Sequence, residues 1–256
     1  MFSDKKCVTV LAISLNNIRN AFSWLFYSGL GIYMFVFFSA LSHKNQMFGS
    51  GYELTYADIF TECFSGYFVY LFFLPVGLFI RQRITRSSEN VQLYLRYGNR
   101  ASIWKNNVLY SAIVSFIYSL IIVAAVYISA LLLCREEINW SSPFSVYYLS
   151  CGEVNERINF AEIVLISYMY TFITMLSVNI AMNIFEIYSR FGGWLAVIAY
   201  IGLNLRGPLA YCRYNIDYLS YMNIKAFLLL QLVKVIFIAA AYFAGKILIR
   251  RKEFYD

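Results

Sequence analysis

Long apolar runs partition this sequence, and that partition constrains the fold more than any short motif. They cover Ala21–Leu41, Ile59–Ile80, Asn107–Leu133, Ala161–Ile187, Gly193–Leu209 and Lys225–Ile249. About 20 mainly apolar residues in a helix cross roughly 30 Å of hydrocarbon. All six runs reach or approach that length, and the fifth is the weakest because Asn204, Arg206 and Pro208 interrupt it. The composition is 61% hydrophobic and 14% charged over 256 residues, against about 45–50% and about 25% in soluble domains. The expected fold is therefore an all-α membrane protein, a single domain over 1–256 with six transmembrane helices. Pro75 marks a kink in the second run.

The net charge of +7 does not point to nucleic acid. In a membrane protein the excess Lys and Arg face the cytoplasm. Six spans put both termini on one side. With that side inside, segments 1–20, 81–105, 186–193 and 246–256 carry 14 of the 21 Lys and Arg. The outer loops 42–58, 134–160 and 210–224 carry four, namely Lys44, Arg135, Arg157 and Arg213. The split places both termini in the cytoplasm.

Residues 1–20 do not read as a signal peptide. Val8, Leu11, Leu15, Ile18 and Phe22 form a helical stripe with Asn16, Asn17, Arg19 and Asn20 elsewhere. That pattern suits an interfacial helix ahead of the first span. The insert Arg81–Lys105 is the most basic. It holds Arg81, Arg83, Arg86, Arg96, Arg100 and Lys105 against Glu89 alone. Val91, Tyr94, Tyr97, Ala101 and Trp104 recur at steps of three and four, one face of a helix. Gly98 divides the segment into two pieces. The insert reads either as a simple orientation signal or as a short amphipathic helix that touches another protein.

Signals of catalysis are weak. His43 is the one histidine and reads as a solvated loop residue, since zinc needs further convergent ligands. Neither a Walker A loop nor G-x-S-x-G nor H-E-x-x-H occurs. Cys134 and Cys151 bracket one loop and could pair, but dispersed small apolar cysteines are the default reading. Small residues carry more information. Ser111, Ser115 and Ser119 line one face of the third span, and Ala240/Ala244 with Ala241/Gly245 do so in the sixth. Such faces let helices approach closely. Charges within or beside spans are costly. Lys234 and Arg206 read as pathway-lining or snorkelling residues, and Glu62 and Glu162 as intramembrane polar or helix N-terminal groups. Phe35, Phe37, Phe38, Phe68, Phe72 and Phe73 lie too deep for an interfacial belt. They face lipid by default, or wall a path for an apolar or peptidic substrate.

The layout resembles an ABC-2-type transporter permease. An amphipathic start, six spans, a basic insert after the second and the tail Arg250-Arg251-Lys252-Glu253-Phe254 carry the likeness. Arg96-Tyr97-Gly98-Asn99-Arg100 through Trp104 resembles the Arg-aromatic-Gly-x-Arg…Trp stretch of bacteriocin and lantibiotic export or immunity permeases. The resemblance implies that the insert is a coupling helix, with Arg96, Tyr97, Gly98, Arg100 and Trp104 as the contact residues. It also implies a separate ATPase subunit that holds ATP and Mg, a second permease chain alike or related, and a bacterial cell membrane. This chain would itself carry no cofactor and be no enzyme. It would export an amphipathic peptide or lipid-like cargo. The rival is a membrane protein that does not transport, such as a peptide-sequestering immunity or sensor-linked protein.

Overall fold

A computed structural model describes residues 2–47, 52–88, 100–188, 190–205 and 216–251. It gives the backbone alone at 2–21, 84–88, 100–103, 188, 190, 191, 203–205, 219, 222, 226, 250 and 251. Helix α1 is Phe2–Met47 and α2 is Tyr56–Cys63. Gly66–Phe68, a π-helical Val69–Phe73 and Leu74–Ser88 run on as one helix, α3. Then follow α4 (Arg100–Leu133), α5 (Val146–Cys151), α6 (Phe160–Tyr188), α7 (Arg190–Leu205), α8 (Tyr218–Met222) and α9 (Ile224–Arg251). Among the described residues pairing of the β type is limited to isolated bridges, Glu53 with Ser145 and Ser65 with Ile216. The protein is all-α. Phe22–Met47, Trp104–Leu133, Phe160–Ile187 and Phe227–Ile249 are long and apolar enough to cross a membrane.

The long helices have definite ends. One end gathers the segments between them. The Lys44 ammonium of α1 bonds the Leu133 carbonyl at the C-terminus of α4, where a cation is favoured. The N–H groups of Tyr56 and Ala57 donate to the carbonyls of Glu136 and Glu137, each at 3.0 Å. Trp140 meets the rings of Tyr218 and Tyr221, at 5.8 and 5.3 Å. At the other end Trp24 of α1 meets Phe79 of α3. Arg81 of α3 pairs with Glu186 of α6 at 2.8 Å, and Trp104 of α4 bonds the Tyr242 carbonyl of α9 at 3.0 Å. Helices α1 and α4 thus run from one end to the other, and Arg81 of α3 and Glu186 of α6 meet at the second end. Over its apolar window α6 is 56% buried and α4 is 44% buried, against 22% for α1 and for α9. The core therefore lies between α4 and α6, with α1 and α9 outside them.

Helix α3 shows how local sequence shapes the bundle. Pro75 has no N–H, and its ring crowds the carbonyl one turn earlier. The wide turn just before it takes up the misfit, with the Leu74 N–H donated to the Val69 carbonyl five residues back. The Tyr118 hydroxyl of α4 donates to the Phe73 carbonyl at 3.0 Å. Its ring lies against Gly77, where a Cβ would stand 2.7 Å from the ring. The kink expected at Pro75 is thus a π turn clasped by a tyrosine.

Several expectations need correction. The start of the chain is not a separate interfacial helix over 1–20: the backbone runs unbroken from Phe2 to Met47. That helix also absorbs the first six residues of the expected loop 42–58. The second span does not begin at Ile59. Helix α2 ends at Cys63, and a new helix starts at Gly66. Loop 134–160 contains α5. Cys134 and Cys151 are free thiols, and burial pushes Cys134 up to about 11.

Candidate functional site

A column of polar side chains runs through the apolar core. On α6, Ser167, Thr171, Thr174, Asn179, Asn183 and Glu186 follow each other at steps of three to five, which holds them near one face. All but Glu186 are buried. Across from them stand Ser111, Ser115 and Ser119 of α4, at most 1% exposed. The Asn183 amide donates to Ser111 Oγ at 3.0 Å, and the Asn179 amide donates to Ser115 Oγ at 2.9 Å. A buried amide without a partner costs several kcal/mol in hydrocarbon, so the cross-helix serines are required here and not merely small. Asn179 Oδ1 and Ser119 Oγ are buried with no hydrogen-bond partner among the described residues.

Two cations join the column. Arg81 is 1% exposed. Its Nη2 donates to the side-chain oxygen Oδ1 of Asn183 and, at 2.8 Å, to the Glu186 carboxylate. The guanidinium therefore ties α3 to α6, and through Asn183 to Ser111 of α4. Lys234 of α9 lies nearer the middle. Its Nζ donates to Thr174 Oγ1 at 3.0 Å and sits 4.5 Å from the centre of the Tyr170 ring, a cation–π contact. Tyr70, in the π turn of α3, packs on Tyr200 of α7 at 5.9 Å. A π turn inserted in an α-helix is a frequent mark of functional sites. Here it brings a buried phenol toward the column.

One end of the column is closed by a knot around Asp58. This carboxylate is fully buried and accepts four hydrogen bonds. Thr55 gives two, from N at 2.9 Å and Oγ1 at 2.6 Å. Trp140 Nε1 gives one at 2.9 Å and the Tyr218 hydroxyl one at 3.2 Å. Burial pushes the carboxyl above its ordinary range, and the bonds from Thr55, Trp140 and Tyr218 pull it back. One side chain thus holds together the start of α2, the loop after α4 and the short α8.

Of the residues singled out in the sequence, Arg96, Tyr97, Gly98 and Arg206 lie outside the described residues, and Arg100 is described by its backbone alone. Trp104 is buried and docks on α9. A Cβ at Gly245 would overlap the indole ring, so Gly245 is the seat of Trp104. Ala241, one turn away, is also buried. Lys234 joins Ser111 and Ser115 in the column. Glu62 does not: it pairs with His43 of α1 at 2.9 Å, so His43 is a helix residue with a carboxylate partner and not a solvated loop residue. Glu162 is exposed in the first turn of α6 and accepts the Asn159 N–H at 3.3 Å. Arg81 is buried and is not part of a free basic face. The deep phenylalanines divide. Phe73 is buried, Phe38 is 59% exposed, and Phe35 stacks on Phe72 at 3.7 Å on the surface.

Sequence reading missed Arg81, Asn179, Asn183 and Asp58. The polar steps along 167–186 were a legible signal for the asparagines. Thr55-x-x-Asp58 was a legible capping box. No group of three or more His, Cys, Asp or Glu among the described residues could hold a metal. The constellation can hydrate or bind polar groups inside an apolar bundle and link four helices through a few bonds. The chain matches no known family model, no curated protein and no solved structure.

Proposed function

We propose that the chain is the membrane permease subunit of an ATP-driven exporter. It would cross the membrane six times, with both termini in the cytoplasm and a separate ATPase as the source of energy. The observation that carries this reading is the seat of Trp104 on Gly245 and Tyr242. The indole closes the basic insert and locks the start of α4 onto α9. Any displacement of the insert by a partner is thereby delivered to the helices that flank Lys234 and the serine–asparagine pairs. The gathering of helix ends at two opposite ends of the bundle supports six crossings. So does the charge at their ends, with Arg81, Arg83, Lys105 and Lys246 on the inner side and Glu53, Glu136, Glu137, Glu153 and Glu156 on the outer. Helix α7 has 16 residues. It rises about 24 Å, the shortest of the six crossings. The polar column with its spare acceptor at Asn179 suits the polar part of an amphipathic peptide or lipid-like cargo.

The test is Arg96→Glu with Arg100→Glu. Enough positive charge stays in the insert to keep it inside. The exporter reading expects the ATPase to stop copurifying, or its cargo-stimulated hydrolysis to vanish, with membrane insertion intact. A double variant that still binds and couples the ATPase reduces the insert to an orientation signal and leaves the non-transporting, peptide-sequestering reading.

A further inference from the structure

Arg83 is the exposed counterpart of the buried Arg81, two residues on along α3. Its guanidinium carbon lies 5.4 Å from the Trp24 ring centre and 5.1 Å from that of Phe79. The two rings meet edge to face at 6.0 Å, so α1 and α3 together build the platform. A planar guanidinium laid on aromatic faces is held in place without using its N–H edges. Among the described residues no carboxylate or carbonyl takes those edges, although Arg83, Trp24 and Phe79 are all exposed. Trp24 stands near the start of its span, the end that the proposed topology puts inside, at the level where aromatic side chains meet headgroups. Beyond it toward the membrane middle, α1 exposes Phe26, Tyr27, Leu30 and Met34, a surface suited to acyl chains.

We propose that Arg83, oriented by Trp24 and Phe79, forms a binding site for one anionic phospholipid at the inner leaflet, its phosphate held by the guanidinium fork. An Arg fork matches two phosphate oxygens at once. The rings below it and the apolar face of α1 distinguish a lipid from a free anion. The site rests on the membrane placement of this end and not on the ATPase partner, so it stands or falls separately from export.

The experiment is native mass spectrometry of the full chain released from nanodiscs of mixed phosphatidylglycerol and phosphatidylcholine. The expected result is one phosphatidylglycerol per chain that survives activation longer than the rest. Arg83→Gln should lower its retention about tenfold, the loss of one charge-assisted bidentate contact. Trp24→Leu keeps the charge and removes half the platform, and it should give a smaller loss. Lys105→Gln, an exposed cation at the same end, should change nothing. Equal retention in wild type and Arg83→Gln overturns the proposal, and so does equal retention of the two lipids. Displacement by millimolar inorganic phosphate would also overturn it, since the site would then be one for a free anion. Circular dichroism of each variant at wild-type helix content keeps a folding failure from passing as lost binding.

Discussion

The two ends of the bundle are held by different means. At the Asp58 end, which the proposed topology puts outside, three connecting segments cross one another. Backbone bonds from Tyr56 and Ala57 to Glu136 and Glu137 sew them together, and the Asp58 carboxylate gathers donors from three of them. At the Arg81 end, inner in the proposed topology, no comparable lid appears among the described residues. Two side-chain contacts dominate there, Arg81 on Glu186 and Trp104 on Gly245. The lesson concerns where movement is cheap. Opening the outer end breaks many bonds at once. Shifting the inner helices breaks one ion pair or slides one indole.

The largest expected effect comes from breaking the inner ion pair. Arg81→Leu leaves Glu186 and the Asn183 oxygen without their donor. Removing one partner of a buried pair costs roughly 3–5 kcal/mol. The thermal unfolding midpoint in detergent should fall steeply, and the double change with Glu186→Leu should recover much of it. A single variant as stable as wild type would show that the pair is dispensable, and that the inner end is held elsewhere.

Next comes the outer knot. Asp58→Ala strands four donors in a dry site, and even one such orphan costs about 1–3 kcal/mol. The expected signature is local. Proteolysis should appear in the exposed turn at Pro143–Phe144, with the contacts of Arg81 and Trp104 unchanged. Global unfolding without prior nicking would mean that the lid and the bundle form one cooperative unit.

Smaller again is Gly245→Ala. The added methyl overlaps the indole of Trp104, and overpacking of this kind costs about 1–3 kcal/mol. Emission of Trp104 should shift to the red as the ring leaves its seat. Trp104→Leu in the same chain should remove the penalty. If Gly245→Ala leaves the emission unchanged, the seat tolerates a side chain and the rigid link from insert to α9 is lost.

Much of this arrangement was legible in the sequence, and the rest was not for physical reasons. The apolar runs announced the helices because hydrocarbon leaves a backbone no partner but itself. Ser111, Ser115 and Gly245 announced close approach. What they approach could not be read, since Asn183 lies 72 residues from Ser111 and Trp104 lies 138 from Tyr242. Arg81 was misread because charge at the end of an apolar run normally faces water, and only the Glu186 carboxylate across the bundle reverses that. The break between α2 and α3 was hidden because both pieces are equally apolar. Asp58 closed an apparent loop, and nothing local marks a loop carboxylate as the centre of a lid.

The smallest effect is expected between the two ends, at Lys234. Its ammonium has an acceptor in Thr174 and a ring face in Tyr170, and both partially repay the cost of burying a charge among membrane helices. Methionine has nearly the same length and volume. Lys234→Met loses the hydrogen bond and the cation–π contact, but it also removes the buried charge, so stability should stay within about 1 kcal/mol of wild type. Thr174→Val behaves differently in the two backgrounds. With Lys234 present it leaves the ammonium short of an acceptor and should cost about 1–3 kcal/mol. In the Lys234→Met background it should cost almost nothing. That coupling, read from four unfolding midpoints, tests whether the contact is formed. Export tests what it is for. On the exporter reading, Lys234→Met cuts cargo release while the protein reaches the membrane in wild-type amounts. Unaltered export, together with measurable coupling to Thr174, would leave Lys234 as a packing residue and move the polar path to the serine–asparagine pairs between α4 and α6.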